Sequence, residues 1–182
     1  MSNPFWITGL PRSRTAWFAV AMRGPRSSCA HELTATCQSL VELKSRWLYG
    51  SAAEYRGNSD SACGLNIERI MADIRPRTLI IRRPIGEVMD SLSRFMGYDL
   101  KPIAGQMERL DDALDFKHAL IKAVAYKDLT DRECLSNAVE WLVPCQVNNA
   151  LSLMTFNIQA ERDYALALMR APHSHWHMQE AV

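Results

Sequence analysis

ITGLPRSRTAWFA, residues 7–19, decides the fold. Reading back from it, Asn3 to Thr8 is apolar and β-branched, which predicts a buried strand ending at Gly9. A turn holding Pro11, Arg12, Ser13 and Arg14 follows. An apolar helix is then predicted from Thr15 to Arg23, stopped by Gly24 and Pro25. Such a strand–turn–helix suits an anion, because backbone N–H groups and the helix dipole converge on one spot. Arg12 adds a fork of donors, and Ser13 and Thr15 add hydroxyls. A nucleoside-triphosphatase loop would need glycine at position 14, lysine at 15 and Ser or Thr at 16. Arg14, Thr15 and Ala16 stand there instead, so that reading fails at all three positions and the usual magnesium hydroxyl is missing.

Outward from the loop, strand and helix patterns alternate. Ser28 to Ala30 and Glu54 to Asn58 read as short strands, and Thr34 to Leu48 reads as one helix. Ser59, Asp60 or Ser61 caps a helix that ends near Arg75 and Pro76. TLIIRRP, residues 78–84, is apolar throughout, as expected of a strand covered on both faces, and Pro84 opens the next helix. A loop over 97–105 and a charged helix near 106–116 follow. Ala119 to Ala125 reads as a further buried strand, with helices after it over about 135–142 and 145–170. No repeat or linker interrupts the 182 residues, so the expectation is one α/β domain over 1–182 with a mainly parallel sheet and a flexible tail from about 171.

Bulk properties exclude several classes. A formal net charge of +1 gives no global field for nucleic acid or membrane surfaces. No apolar run is long enough to span a bilayer, and the first residues lack a signal-peptide pattern. Five cysteines without a CxxC pair point to reduced thiols, hence to the cytoplasm. Cys29, His31 and Cys37 fit no common zinc spacing, and the alternating His173, His175 and His177 read as part of a frayed tail.

The opening loop resembles the 5′-phosphosulfate loop of sulfotransferases, matching at Gly9, Pro11, Arg12, Ser13, Thr15 and, shifted by one, Trp17. A second resemblance lies in IIRRPIGEVMDSL, residues 80–92: an arginine at a strand end, Glu87-Val88, then Ser91 eight residues after Arg83. That is the family's 3′-phosphate motif. VAYKDLTDRECL, residues 124–135, resembles the family's late strand ending in Tyr-Glu-Asp-Leu. The resemblance implies a three-layer P-loop-type domain with helices flanking the sheet. It also implies sulfuryl transfer from 3′-phosphoadenosine 5′-phosphosulfate to a hydroxyl or amine acceptor, with no metal required. Arg12, Ser13 and Thr15 would hold the phosphosulfate; Arg83 and Ser91 would hold the 3′-phosphate.

Some sulfotransferases place a catalytic Glu after the second strand. SSCAHEL, residues 27–33, therefore offers Glu32 as the base and His31 as its reserve. Glu32 could instead cap the helix near Thr34 or neutralise Arg12. Asp60 is a third acidic candidate, or a turn residue. Arg14 replaces the family's glycine, so either the loop is reshaped or Arg14 itself faces the anion. One of Arg82 and Arg83 is expected to pair with a helix carboxylate such as Glu87. Trp47, Tyr49, Tyr55, Phe95 and Tyr98 line an acceptor cleft or belong to the core. The family's late Gly-rich loop is missing after Tyr126, which leaves two alternatives: a non-catalytic nucleotide-binding regulator or assembly protein, and a small P-loop kinase.

Overall fold

Phe5, Trp6 and Ile7 are 0% exposed, and only the central strand of a sheet covered on both faces can bury three consecutive large side chains. The structure, a computed structural model, describes residues 3–97 and 103–156. Its strands are β1 (Asn3–Gly9), β2 (Ser27–His31), β3 (Tyr55–Ser59), β4 (Arg77–Arg82) and β5 (Ile121–Ala125). They form one sheet in the order β2-β3-β1-β4-β5, with every adjacent pair parallel.

The helices are α1 (Thr15–Ala21), α2 (Leu40–Tyr49), α3 (Ile67–Asp73), α4 (Ile85–Met96), α5 (Ala104–Ala113), α6 (Arg132–Leu142) and α7 (Val147–Ser152). Two cores divide them between the faces. Trp6, Leu43, Trp47, Ile70, Val88, Leu92 and Leu110 join α2 to α5 on one face. Phe5, Ile7, Phe18, Leu135, Val139 and Ala150 join α1, α6 and α7 on the other. This is a three-layer α/β fold, as the alternating pattern predicts.

Three expectations change. The helix over 34–48 is two pieces, a 3-10 turn at Leu33–Thr36 and then α2. Ser39 begins α2 by accepting from the Glu42 backbone N–H, and the Glu42 carboxylate accepts from the Gln38 N–H, nearly a capping box. The helix after β3 likewise splits into a 3-10 turn at Ala62–Asn66 and α3. β5 is an edge strand with Lys122 and Ala123 exposed, not a buried one. The expected helix over 145–170 begins as a 3-10 turn and α7; the remainder, and His173, His175 and His177, lie outside the described residues.

The strand order sets the site. The chain leaves β1 toward β2 on one side of the sheet and leaves β4 toward β5 on the other. The switch point therefore falls between the carboxyl ends of β1 and β4, where open α/β sheets collect ligands.

Candidate functional site

Register brings three strand ends to one height. Gly9 lies beside Ile81, and Arg82 beside Ala125. The loop after β1, Arg83 after β4 and Tyr126 after β5 thus leave the sheet together. Gly9 must be glycine, because a Cβ there would sit 2.5 Å from the Ile81 carbonyl oxygen. Its absence lets β1 and β4 close directly beneath the loop.

Arg12 and Arg83, 71 residues apart, meet. Arg83 Nη1 donates to the Arg12 carbonyl at 2.7 Å. Arg12 Nε donates to Ser91 Oγ at 3.4 Å, and its guanidinium lies 4.3 Å from the Phe95 ring centroid. Ser91 and Phe95 are one turn apart on α4, whose Val88–Leu92–Met96 stripe is buried beneath them. Burial, and next the neighbouring Arg83 charge, lower the Arg12 pKa; Tyr126 opposes them. The two residues assigned to opposite ends of a nucleotide therefore share one site, and Ser91 sits on Arg12.

Arg14 lies in the same group. Its Nη1 donates to the Leu129 carbonyl at 3.3 Å, and its guanidinium lies 5.3 Å from the Tyr126 centroid. The loop accommodates Arg14 without a glycine: Arg12 takes φ 66° and Arg14 φ 65°. Left-handed backbone at a non-glycine residue costs about 1–3 kcal/mol and concentrates where function constrains the chain. Arg82 lines the same cleft as Arg83 but has carboxylate partners of its own. It reaches α5 through Asp111, Asp115 and the Leu114 carbonyl. Among the described residues, the one carboxylate paired with Arg83 is the exposed Glu87, at 3.5 Å.

Ser13 is 0% exposed, and its hydroxyl is buried without a hydrogen-bond partner. It sits folded against Gly9, inside the loop. Thr15 is buried too, and its carbonyl accepts from Ser59 Oγ at 2.7 Å, which ties the loop to β3. Pro11 is half-buried at the turn. Trp17 is core, donating from Nε1 to the Leu153 carbonyl. Trp47 is core as well, whereas Tyr49 is exposed on α2 and Tyr98 lies outside the described residues.

Glu32 and Asp60 form a separate, buried group at the ends of β2 and β3. Asp60, 0% exposed, accepts from the Thr34 N–H at 2.8 Å, the Cys63 N–H at 3.2 Å, Asn58 Nδ2 at 3.4 Å and the Thr34 hydroxyl. The Thr34 N–H thus goes to Asp60, and Glu32 does not cap that turn. Glu32 accepts from Ser61 Oγ at 2.9 Å, with His31 Nε2 at 3.7 Å. Burial and then the Asp60 carboxylate push the Glu32 carboxyl well above its usual range, which favours its protonated form. Burial, followed by the Arg23 charge, lowers His31, against the pull of Asp60.

A cleft of about 470 Å³ opens beside Arg83, lined by Arg82, Arg83, Glu87, Asp111, Tyr126 and Lys127 among others. Sequence reasoning missed the role of Tyr126 as the ring around which the arginines gather; its one signal was an aromatic residue directly after a strand. No family model matches the chain, and no curated protein matches it significantly. No helix among the described residues is long and apolar enough to cross a membrane.

Proposed function

We propose that this chain is a sulfotransferase-like protein that holds 3′-phosphoadenosine 5′-phosphosulfate across the carboxyl ends of β1 and β4. The carrying observation is the contact between Arg12 and Arg83, which come from the two motifs of that resemblance. The residues fit such a group: Arg14 and Arg83 share the Tyr126 ring, Arg12 lies over Phe95 within reach of the Arg83 charge, and a buried Ser13 hydroxyl has no hydrogen-bond partner among the described residues. A bidentate guanidinium suits a terminal phosphate better than an ammonium does.

When bound, the nucleotide supplies the sulfuryl group: the acceptor oxygen or nitrogen bonds to sulfur while the sulfur–phosphate oxygen bond breaks, its electron pair leaving on 3′-phosphoadenosine 5′-phosphate. Arg12 neutralises charge on that departing oxygen, and Ser13 and Thr15 hold the phosphosulfate once the loop admits it. Arg83 and Ser91 hold the 3′-phosphate. Glu32, the base that the resemblance offers, stands apart from the arginines in the buried Asp60 group, and it would take the acceptor's proton only if it were ionised and the acceptor reached it.

A second reading, a nucleotide-binding regulator without turnover, is favoured by one feature: the Glu32 carboxyl is buried beside Asp60, apart from the arginines. A small kinase is disfavoured by Ala16, which leaves no magnesium hydroxyl in the loop. Calorimetry with 3′-phosphoadenosine 5′-phosphate, ATP and GTP, each with and without magnesium, tests the proposal. Magnesium-independent binding of the first alone supports it. Preference for ATP or GTP with magnesium rejects it. Sulfuryl transfer to a panel of hydroxyl and amine acceptors separates enzyme from regulator.

A further inference from the structure

We infer that Tyr126 is a positioning residue whose ring holds the Arg83 and Arg14 guanidinium groups ready for an anion; this rests on the anion-binding reading above. The guanidinium carbons lie 4.4 Å and 5.3 Å from the ring centroid, both within cation–π range. Tyr126 follows β5 directly, is half-buried, and lines the cleft beside Arg83.

The chemistry explains why an aromatic ring stands there. Cations this close repel one another, and most folds answer with a carboxylate. Arg82, the neighbour of Arg83, has that answer in Asp111 and Asp115. A carboxylate also neutralises the cation and competes with any incoming anion. A π face holds a guanidinium with no net negative charge, so the donors stay available. The only ion pair on Arg83 among the described residues is with Glu87, which is 58% exposed at its side chain and contributes little. The carbonyls of Arg12 and Leu129 fix one N–H each on Arg83 and Arg14 without adding charge. The ring thus sets the orientation and the carbonyls set the reach.

Inorganic pyrophosphate is the probe, because it reports on the cations without requiring a nucleotide. Tyr126→Phe keeps the ring and should bind within about twofold of wild type. Tyr126→Leu keeps apolar bulk, and its affinity should fall about tenfold. In an Arg83→Ala background the same Leu substitution should lose no more than about threefold, since most of what the ring holds is gone. Equal losses for Phe and Leu, or an undiminished tenfold loss without Arg83, would mean that Tyr126 acts by other means, and the inference falls. Thermal melting of each variant without anion checks folding; a Leu variant that loses affinity only in proportion to a loss of folded protein also overturns it. Binding of pyrophosphate but not of 3′-phosphoadenosine 5′-phosphate rejects the nucleotide reading alone. Binding of neither rejects both.

Discussion

Two polar clusters occupy the same edge of the sheet, and they are built on opposite terms. The cluster after β1, β4 and β5 gathers cations against rings and carbonyls and borders an open cleft. The cluster after β2 and β3 gathers carboxyl groups, seals them, and surrounds Asp60 with donors from Thr34, Cys63 and Asn58. A buried carboxylate with that many donors is part of the scaffold. Arg14 and Arg83 lie against a π face instead, with no buried carboxylate paired to them among the described residues. Ser59 and Asp60 link the two, through Ser59 Oγ to the Thr15 carbonyl and the Asp60 N–H to the Ile7 carbonyl. The acidic cluster thereby braces the basic one.

If that division is right, substitutions on the two sides should separate stability from binding. The largest effect is expected for Asp60→Ala, which strands the buried Thr34 and Cys63 N–H groups; chemical denaturation should show a loss of about 3–5 kcal/mol. A loss below 1 kcal/mol would deny Asp60 its scaffold role. Next comes Arg83→Ala. Affinity for 3′-phosphoadenosine 5′-phosphate, read by calorimetry, should drop about a hundredfold with little change in melting temperature. An unchanged affinity would remove Arg83 from the site.

The Glu32 carboxyl sharpens the contrast through pH. Its folded pKa is raised, so the stability it contributes is full below the ordinary Glu value of about 4.3 and is lost as pH rises through the folded value. Glu32→Gln should therefore melt increasingly above wild type as pH climbs from about 5 to 8. A constant difference across that range would contradict the raised Glu32 carboxyl. If Glu32 is also the base, transfer should rise with pH well above the ordinary Glu range and vanish in the Gln variant. The smallest effect has opposite signs in one protein. Arg14→Gly should gain about 1 kcal/mol in denaturation by relieving φ 65°, yet bind the nucleotide several-fold more weakly. Gains in both would make Arg14 a bystander.

Local patterns were legible where one physical demand dominated. The apolar runs of β1 and β4 and the stripe of α4 announce burial on two faces and on one. The break before α2 was written as Ser39 and Glu42, a capping pair that the helical period around it masked. β5 was misread because its apolar residues outweighed Lys122, a charged residue that suits an edge strand.

The sequence alone carried the alternation of strands and helices, the basic, hydroxyl-bearing turn of Arg12, Ser13 and Thr15, and the absence of a triphosphatase lysine, since these depend on residue type and near neighbours. Only the tertiary structure decided that Arg12 and Arg83 touch, that Arg82 pairs with Asp111 and Asp115 while Arg83 reaches the loop, that Tyr126 lies against Arg14 and Arg83, and that burial beside Asp60 raises the Glu32 carboxyl. Each of these depends on strand order and register, which bring together residues dozens of positions apart, and on burial, which sets a charge only once the neighbours are in place.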